Sequence, residues 1–199
     1  MAREIKRDDW PDLFAATPPL QALKVIISMC SSGNKGEQLM INDVSRACFC
    51  APARRLACVE LLGEGSNEDN GMVGELNFGM SGTRDAAQHL GEECAGTTGK
   101  LGFQQGSASS GTFVHTHRNL RSHMHGGDFA TAGLGKDLKW MEQELDKYYE
   151  LKTHVRGPDP GGSQQVRLLN RALIWGAGGI LYLTRPIPDM LSLSLLTSN

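Results

Sequence analysis

Several features that mark common protein classes are missing from this sequence. No run of about eighteen consecutive apolar residues occurs, so a transmembrane helix is not expected. Residues 1–9 carry charges of both signs and contain no apolar segment of the kind that a secretory signal requires. We therefore expect an intracellular protein, cytoplasmic or nuclear, without a membrane partner.

The cysteines show no metal-binding spacing. The five cysteines form no C-x-x-C pair, and the closest two are Cys48 and Cys50. An odd number of cysteines without such spacing predicts reduced thiols in an intracellular protein rather than a disulfide framework. The sequence also lacks a glycine-rich phosphate loop of the P-loop or dinucleotide-binding type, and its Ser, Cys and His residues show no recognisable nucleophile–base spacing.

The sequence also has no excess of positive charge. Lys and Arg total 20 against 22 Asp and Glu, which gives a formal net charge of -2. This balance argues against a nucleic-acid clamp that is held by charge alone. The 199 residues are 40% hydrophobic and 21% charged, which is typical of one folded domain, and the 24 glycines predict many loops.

Hydrophobic periodicity and turn residues predict alternating strands and helices. Helices are expected after Thr17-Pro18-Pro19, over residues 84–94 with Gly96, Gly99 and Gly102 ending the helix, and over residues 136–149. Strands are expected over residues 38–44, 56–61, 129–132 and 166–175, with a hairpin over residues 112–125. The order strand, helix, hairpin, helix, strand predicts an α+β fold, with a split βαβ antiparallel sheet and helices on one face.

Two aspartates are candidate metal ligands. Asp43 follows a predicted strand, and Asp128 follows two glycines in a predicted tight turn between strands. If these strands are neighbours, both carboxylates point at one spot on the sheet edge, where oxygen ligands suit a hard cation such as magnesium. Two such ions can hold the attacking and leaving oxygens of a phosphoryl transfer. The alternative is that Asp43 caps a strand and Asp128 serves only the turn.

Four histidines are a second candidate cluster. His115 and His117 precede the predicted hairpin turn, and His123 and His125 follow it. A hairpin centred near Leu120 would set His117 opposite His123 and His115 opposite His125, on one face of the strands. Four imidazoles there would suit zinc, copper or nickel, and the alternative is a polar face that happens to be rich in histidine.

Residues 82–85 are a third candidate. Gly82 comes before a predicted helix start, and Arg84 lies at that start. A glycine, a helix N-terminus and an arginine together can hold a phosphate group. An ordinary helix cap explains the same residues equally well.

Several segments, in their order along the chain, resemble the reverse transcriptase domain of copia-type retrotransposon polyproteins. Residues 12–20, D-L-F-A-A-T-P-P-L, are similar to its late fingers segment, and residues 43–49, D-V-S-R-A-C-F, are similar to its first catalytic motif, D-V-x-x-A-F. Residues 80–87, M-S-G-T-R-D-A-A, resemble its Y-G-x-(K/R)-x-A segment. Residues 125–129, H-G-G-D-F, resemble its second catalytic motif, in which two aspartates follow an aromatic residue or histidine and one further residue. The resemblance covers roughly residues 2–190.

This resemblance implies an RNA-directed DNA polymerase that adds deoxynucleotides to a primer on an RNA or DNA template. Asp43 and Asp128 would then be catalytic ligands of magnesium or manganese. Val44 would offer a backbone carbonyl to the metal, and Ala47 a backbone amide to the incoming triphosphate. The implied partners are the template–primer, a deoxynucleoside triphosphate and the RNase H and integrase regions of a polyprotein.

The resemblance also implies roles for three further residues and a division of the chain. Cys48 lies where the family has the aromatic residue that guards the sugar 2′ position, and Gly82 and Arg84 lie where template and nucleotide pass. Residues 1–37 would be partial fingers, residues 38–156 a polymerase palm core, and residues 157–199 a connection that ends before a complete thumb. Together they form one reverse-transcriptase-like domain fragment.

The sequence departs from the family at important positions. Gly127 stands where the family has the first aspartate of the paired motif, normally a principal metal ligand. Cys48 replaces the bulky aromatic residue, and Ser81 and Leu90 replace aromatics of the second segment. Loss of a key catalytic group often costs several kcal/mol of transition-state stabilisation. We therefore expect an impaired or inactive fragment; the alternatives are a non-catalytic nucleic-acid- or metal-binding module and a translated relic without function.

Overall fold

A computed structural model describes residues 19–32, 36–60, 73–83, 85–157, 165–176 and 179–183 of the chain. The described residues form a mixed α+β structure with three α-helices and antiparallel sheets. The helices are α1 (Leu20–Ser32), α2 (Ala86–Lys100) and α3 (Gly135–Leu145). The strands are β1 (Glu37–Val44), β2 (Cys58–Glu60), β3 (Val73–Glu75), β4 (Gln104–Gln105), β5 (Thr112–His115), β6 (Leu120–His125), β7 (Asp128–Leu134), β8 (Leu151–Arg156), β9 (Gln165–Leu168), β10 (Arg171–Gly176) and β11 (Gly179–Leu183).

The largest sheet has six strands in the order β4-β5-β6-β7-β1-β8. Strand β1 lies between β7 and β8 and is antiparallel to both. The chain passes from β1 through α2 to the β5–β6–β7 meander, and then through α3 to β8. A three-stranded sheet, β11-β10-β9, and a two-stranded ribbon, β2-β3, complete the described structure. Short 3-10 helices cover Ala47–Cys50 and Thr116–Arg118.

One face of the large sheet packs against α2 and α3. Alternate residues of β1 and β7, among them Met40, Val44 and Phe129, point to this face and are buried. They meet a helical stripe spaced three and four residues apart, Leu138, Met141 and Leu145 of α3. Burying each such side chain contributes about 1.5–3 kcal/mol, so this layer is a principal source of stability.

The opposite face is covered in part by α1. Leu39 and Ile41 of β1 are buried there in one cluster with Leu23 and Ile27 of α1 and with residues of β9 and β10. The prediction of helices on one face only was therefore wrong for α1. Helices pack on both faces because β1 is apolar on both faces, as is typical of a strand that is buried on both sides.

Helix α2 extends beyond its predicted end. Gly96 and Gly99 lie inside the helix rather than after it, although each glycine costs up to about 1 kcal/mol there. The buried Thr98 hydroxyl donates to the Cys94 carbonyl at 2.8 Å, and the Tyr149 hydroxyl donates to Thr97 Oγ1 at 2.9 Å. These buried contacts fix the last turns, and only Gly102, at φ +90°, follows the helix end.

Residues 166–175 form two strands and not the single strand that was predicted. Leu169 and Asn170 both have positive φ, 47° and 59°, and connect β9 to β10 in a two-residue hairpin turn. Two consecutive residues with positive φ are the geometry of the tightest hairpin turns, and asparagine accepts it well. Because apolar residues lie on both sides of the turn, the hydrophobic pattern reads as one continuous strand.

The remaining predictions were confirmed in part. The first strand and the last predicted helix occur, but α3 ends at Leu145, so that Tyr148 is exposed and Tyr149 is buried. The strand that was predicted over residues 56–61 begins at Cys58. Residues 1–18, residue 61 and Arg84 lie outside the described residues. No helix in the described part of the chain is both long and apolar enough to cross a membrane.

Candidate carboxylate site at the ends of β1 and β7

The two candidate aspartates lie on neighbouring strands. Asp43 of β1 is directly opposite Asp128 of β7 in the antiparallel register. Residues in such a pair have Cβ atoms about 4.5–5.5 Å apart and side chains on the same face. The condition on which the candidate site depended, that the two strands are neighbours, is met. The pair lies at the strand ends in the interior of the sheet, however, and not at its lateral edge.

A two-residue turn holds Asp128 at this position. His125 of β6 pairs with Asp128, so Gly126 and Gly127 alone connect β6 to β7. Gly126 has φ +61°, which the first central residue of such a tight turn requires and which glycine adopts without strain. The turn thus places His125, Asp128 and Asp43 side by side on one face of the sheet.

The electrostatics of the pair favour a bound cation. Partial burial and then the negative charge of Asp43 raise the pKa of Asp128, while His125 acts in the opposite direction. Asp43 itself is exposed to solvent. Two like charges at this separation destabilise each other, and a divalent cation between them would remove that cost.

Lys152 extends the row of charged residues onto β8, where it pairs with Asp43. The row across β6, β7, β1 and β8 is therefore His125, Asp128, Asp43 and Lys152. Lys152 was not predicted as a site residue, because no strand was predicted over residues 151–156. The alternation of Leu151, Thr153 and Val155 with basic residues was the signal that predicts a strand there.

Gly127 makes a close backbone contact beside the pair. A Cβ atom built at Gly127 would lie 2.7 Å from the Cβ of Ala47 and 3.5 Å from the carbonyl oxygen of Val44. The Val44 N–H also donates to the Gly127 carbonyl at 3.0 Å. The hairpin turn and the 3-10 helix are thus packed together through the space that a side chain at position 127 would need.

The residues that were predicted to contact the nucleotide or template lie in two separate places. Val44, Ala47 and Cys48 follow Asp43 directly, with Val44 buried and the other two half-buried. Gly82 lies in the turn before α2 with φ +103°, and Arg84 is outside the described residues. The structure therefore groups the first three residues at the end of β1 and places Gly82 at a separate turn.

The start of α2 has an acidic residue rather than an open phosphate site. Asp85 lies at its N-cap position, is buried, and accepts a hydrogen bond from Arg55 Nε at 2.7 Å. Burial pushes the pKa of Asp85 upward, but the hydrogen bonds and the charge of Arg55 outweigh burial and hold the pKa below its usual value. A buried carboxylate at the helix start repels phosphate, which favours the structural interpretation of residues 82–85.

The four histidines do not share one face. The observed β5–β6 register pairs Thr112 with His123 and His115 with Leu120, so the predicted register was wrong. Residues 116–118 form a 3-10 helix and Asn119 has φ 53°, which moves the centre of the hairpin toward its first arm. His115 consequently packs against Phe103 and Trp140, at ring-centroid distances of 5.2 and 5.4 Å, and His117 is exposed.

His123 is the most unusual of these histidines. It is 1% exposed, and burial and then the neighbouring His125 lower its pKa to about 4. Neither of its ring nitrogens has a hydrogen-bond partner in the described part of the chain. Within the described ranges, no group of three or more His, Cys, Asp or Glu side chains is arranged to hold a metal ion. The four-histidine metal site thus lacks the geometry on which it depended.

The Asp43–Asp128 pair is smaller than such a group but has suitable chemistry. Two opposed carboxylates supply the hard oxygen donors that magnesium and manganese prefer. They fit one divalent ion better than two, because Gly127 contributes no ligand. Comparison with protein-family models, with curated proteins and with solved structures finds no match to this chain.

Proposed function

We propose that this chain is a palm-and-partial-fingers fragment descended from a copia-type reverse transcriptase. Its parental reaction would be metal-dependent, template-directed transfer of deoxynucleotides, and the chain itself would be inactive or weakly active. The observation that carries the proposal is the direct cross-strand pairing of Asp43 with Asp128. These are the two residues to which the sequence resemblance assigns the metal.

The strand order supports the same proposal. Strands β8, β1, β7 and β6 are neighbours in that order, and the two connecting helices α2 and α3 pack on the same face. This is the order of a split βαβ sheet, the architecture expected of a polymerase palm. The aspartates lie on the opposite face, which α1 covers in part, and Asp43 remains exposed there.

The residues of the site have separate roles in this proposal. Asp43 and Asp128 would hold a magnesium or manganese ion, which when bound stabilises the charge that develops during phosphoryl transfer. The backbone beyond Asp43, through Val44 and Ala47, would position the nucleotide. The tight Gly126-Gly127 turn would keep Asp128 in register with Asp43.

One departure from the family impairs the reaction in this chain. Gly127 offers no carboxylate, and the loss of one charged group from such a site often costs several kcal/mol of transition-state stabilisation. In this chain the Cβ of Ala47, a residue that matches the family motif, lies 2.7 Å from a Cβ built on Gly127. An aspartate at position 127 therefore requires the turn and the 3-10 helix to move apart, or a smaller residue at position 47.

Primer extension with magnesium or manganese tests this proposal. The unmodified chain should extend a primer weakly or not at all. The double variant Gly127→Asp/Ala47→Gly should extend it measurably better than Gly127→Asp alone, because Ala47→Gly removes the 2.7 Å contact. Asp43→Asn in the double variant should abolish the gain.

Three results would overturn the proposal. Robust extension by the unmodified chain would refute the loss of activity. Extension that survives Asp43→Asn would show that the carboxylate pair does not hold the catalytic metal. A folded double variant that shows no gain over the unmodified chain would refute the roles assigned to positions 127 and 47.

A further inference from the structure

Lys152 is the only lysine or arginine in the row of residues that crosses the ends of β6, β7, β1 and β8. It pairs with Asp43 across β1 and β8, just as Asp128 pairs with Asp43 across β1 and β7. Directly opposed residues have Cβ atoms about 4.5–5.5 Å apart and side chains on the same face. Asp43 therefore lies between a second carboxylate and an ammonium group.

The position of Lys152 lets its charge reach the carboxylate pair without a fixed contact. Strand β8 is the last strand of the sheet, and both Lys152 and Asp43 are exposed to solvent. In the described ranges no close ion pair joins Lys152 to either aspartate. A lysine carries a compact charge on a flexible four-carbon stem, so the ammonium group acts on the pair through its charge and its reach.

A positive charge at this place has two opposite effects. The two carboxylates repel each other, and an ammonium group beside Asp43 reduces that repulsion as long as no metal is bound. The same ammonium group repels any metal ion that approaches the pair. Lys152 therefore stabilises the metal-free pair and weakens its attraction for cations.

We propose that Lys152 is the internal counter-ion of the Asp43–Asp128 pair and limits the affinity of this pair for divalent cations. The limit on metal binding rests on the proposed function, because that function assigns the metal to the two aspartates. The counter-ion role concerns only the side chains of the chain itself, and it is measured without metal.

Manganese binding to the full chain at low ionic strength, without nucleotide or nucleic acid, tests the effect on the metal. Electron paramagnetic resonance of free Mn²⁺ gives the dissociation constant. Lys152→Gln should tighten binding roughly three- to tenfold, the effect of one unit charge about 7 Å from a divalent ion in water with partial screening. Lys152→Arg keeps the charge and should keep the parent affinity. The gain in Lys152→Gln should shrink in about 0.5 M salt.

The matched control is Lys139→Gln. It removes the same charge from an exposed residue of α3, which packs on the other face of the sheet. Manganese affinity should therefore change much less in this variant than in Lys152→Gln.

A thermal double-mutant cycle in EDTA tests the counter-ion role. Lys152→Gln should lower the melting temperature at neutral pH, because the two carboxylates lose their neighbouring positive charge. The same substitution in an Asp43→Asn background should lower it less, since one of the two charges is already absent. Additive effects of the two substitutions would refute the counter-ion role.

The metal results separate this inference from the proposed function. An unchanged manganese affinity in folded Lys152→Gln, or an equal gain in Lys139→Gln, would overturn the inference and leave the proposed function in place. Manganese binding that survives Asp43→Asn, or no saturable binding in either the parent chain or Lys152→Gln, would overturn both.

Discussion

Asp43 and Asp128 face each other across β1 and β7, although 84 residues of sequence separate them. The separation is closed by the split order of the sheet, which inserts the meander beside β1. The two carboxylates therefore interact directly, and the negative charge of one acts on the ionisation of the other. The interaction between the two carboxylates can therefore be measured before any ligand or activity is known.

The first prediction concerns this electrostatic coupling. Asp43→Asn should lower the pKa of Asp128 toward its ordinary value, because it removes the charge that, after burial, raises this pKa. Carbon-detected NMR titration of the Asp128 carboxyl measures the shift. Asp146→Asn is the control, since this exposed residue is not among the causes of the Asp128 shift.

The same coupling makes the stability of the folded chain depend on pH. The folded chain holds the Asp128 proton more tightly than the unfolded chain does. The contribution of Asp128 to the stability of the fold is therefore lost as the pH rises from the ordinary pKa of an aspartate through the raised value. Asp43→Asn should therefore raise the melting temperature at neutral pH more than at low pH. An equal change at both pH values would contradict the interaction of the two carboxylates.

The second prediction concerns the contact between Gly127 and Ala47. Gly127→Asp should lower the free energy of unfolding by about 1–3 kcal/mol, because the new Cβ would lie 2.7 Å from the Ala47 Cβ and one of the two segments must move. Denaturant unfolding measures this change. Gly126→Asp is not a suitable control because of its positive φ, whereas Gly91→Asp adds the same side chain at a helix position where nothing lies within 4 Å.

Rescue distinguishes steric contact from the added charge. Ala47→Gly should recover part of the stability lost in Gly127→Asp, since it removes the atom that is contacted. Gly127→Ala should show most of the loss without any charge. If Gly127→Ala were neutral, repulsion between carboxylates, rather than packing, would explain the effect of the aspartate.

The strand end at Asp43 and the tight turn before Asp128 were the predictable parts of the candidate site. The acidic residue after an apolar run placed Asp43 at a strand end, and two glycines placed Asp128 after a tight turn. Their exact register was not predictable, because it depends on hydrogen bonds along the whole length of β1 and β7. Lys152 was missed for a related reason, since an edge strand with one basic face has little apolar content.

The histidine hairpin shows where local patterns fail. Its arms were predicted as extended over residues 112–117 and 122–125, but the first arm ends at His115, and residues 116–118 form a 3-10 helix that is followed by Asn119 in the left-handed conformation. This change moves every cross-strand partner, and it turns His115 to the face opposite His123. Periodicity identifies which residues alternate, whereas the conformation of the turn decides which residues meet.

The third prediction is an acid sensitivity that comes from His123. Its pKa is about 4 in the folded chain, against an ordinary value of 6.5, so the unfolded chain binds the proton more readily between these values. The stability associated with neutral His123 is fully present above about pH 6.5 and is lost as the pH falls toward 4, by up to about 3 kcal/mol. Denaturant unfolding at several pH values measures it.

A comparison of two leucine variants isolates this contribution. His123→Leu should remove the acid-sensitive part and should be neutral or stabilising at pH 7, because neither buried nitrogen of His123 has a partner in the described part of the chain. His117→Leu alters an exposed histidine and should retain the sensitivity. Equal pH profiles for the parent chain and His123→Leu would refute the burial of a neutral histidine.

The fourth prediction concerns the hydrogen bond that joins the segment after α3 to helix α2. The Tyr149 hydroxyl lies 2.9 Å from Thr97 Oγ1, and both residues are buried. Tyr149→Phe should cost about 1–3 kcal/mol, because it leaves the Thr97 hydroxyl without this partner, whereas Tyr149→Phe/Thr97→Val should cost less by removing both polar groups. The exposed neighbour gives a matched control, since Tyr148→Phe should change the free energy of unfolding by less than about 0.5 kcal/mol. A loss in Tyr148→Phe equal to that in Tyr149→Phe would show that the cost of Tyr149→Phe does not come from this hydrogen bond.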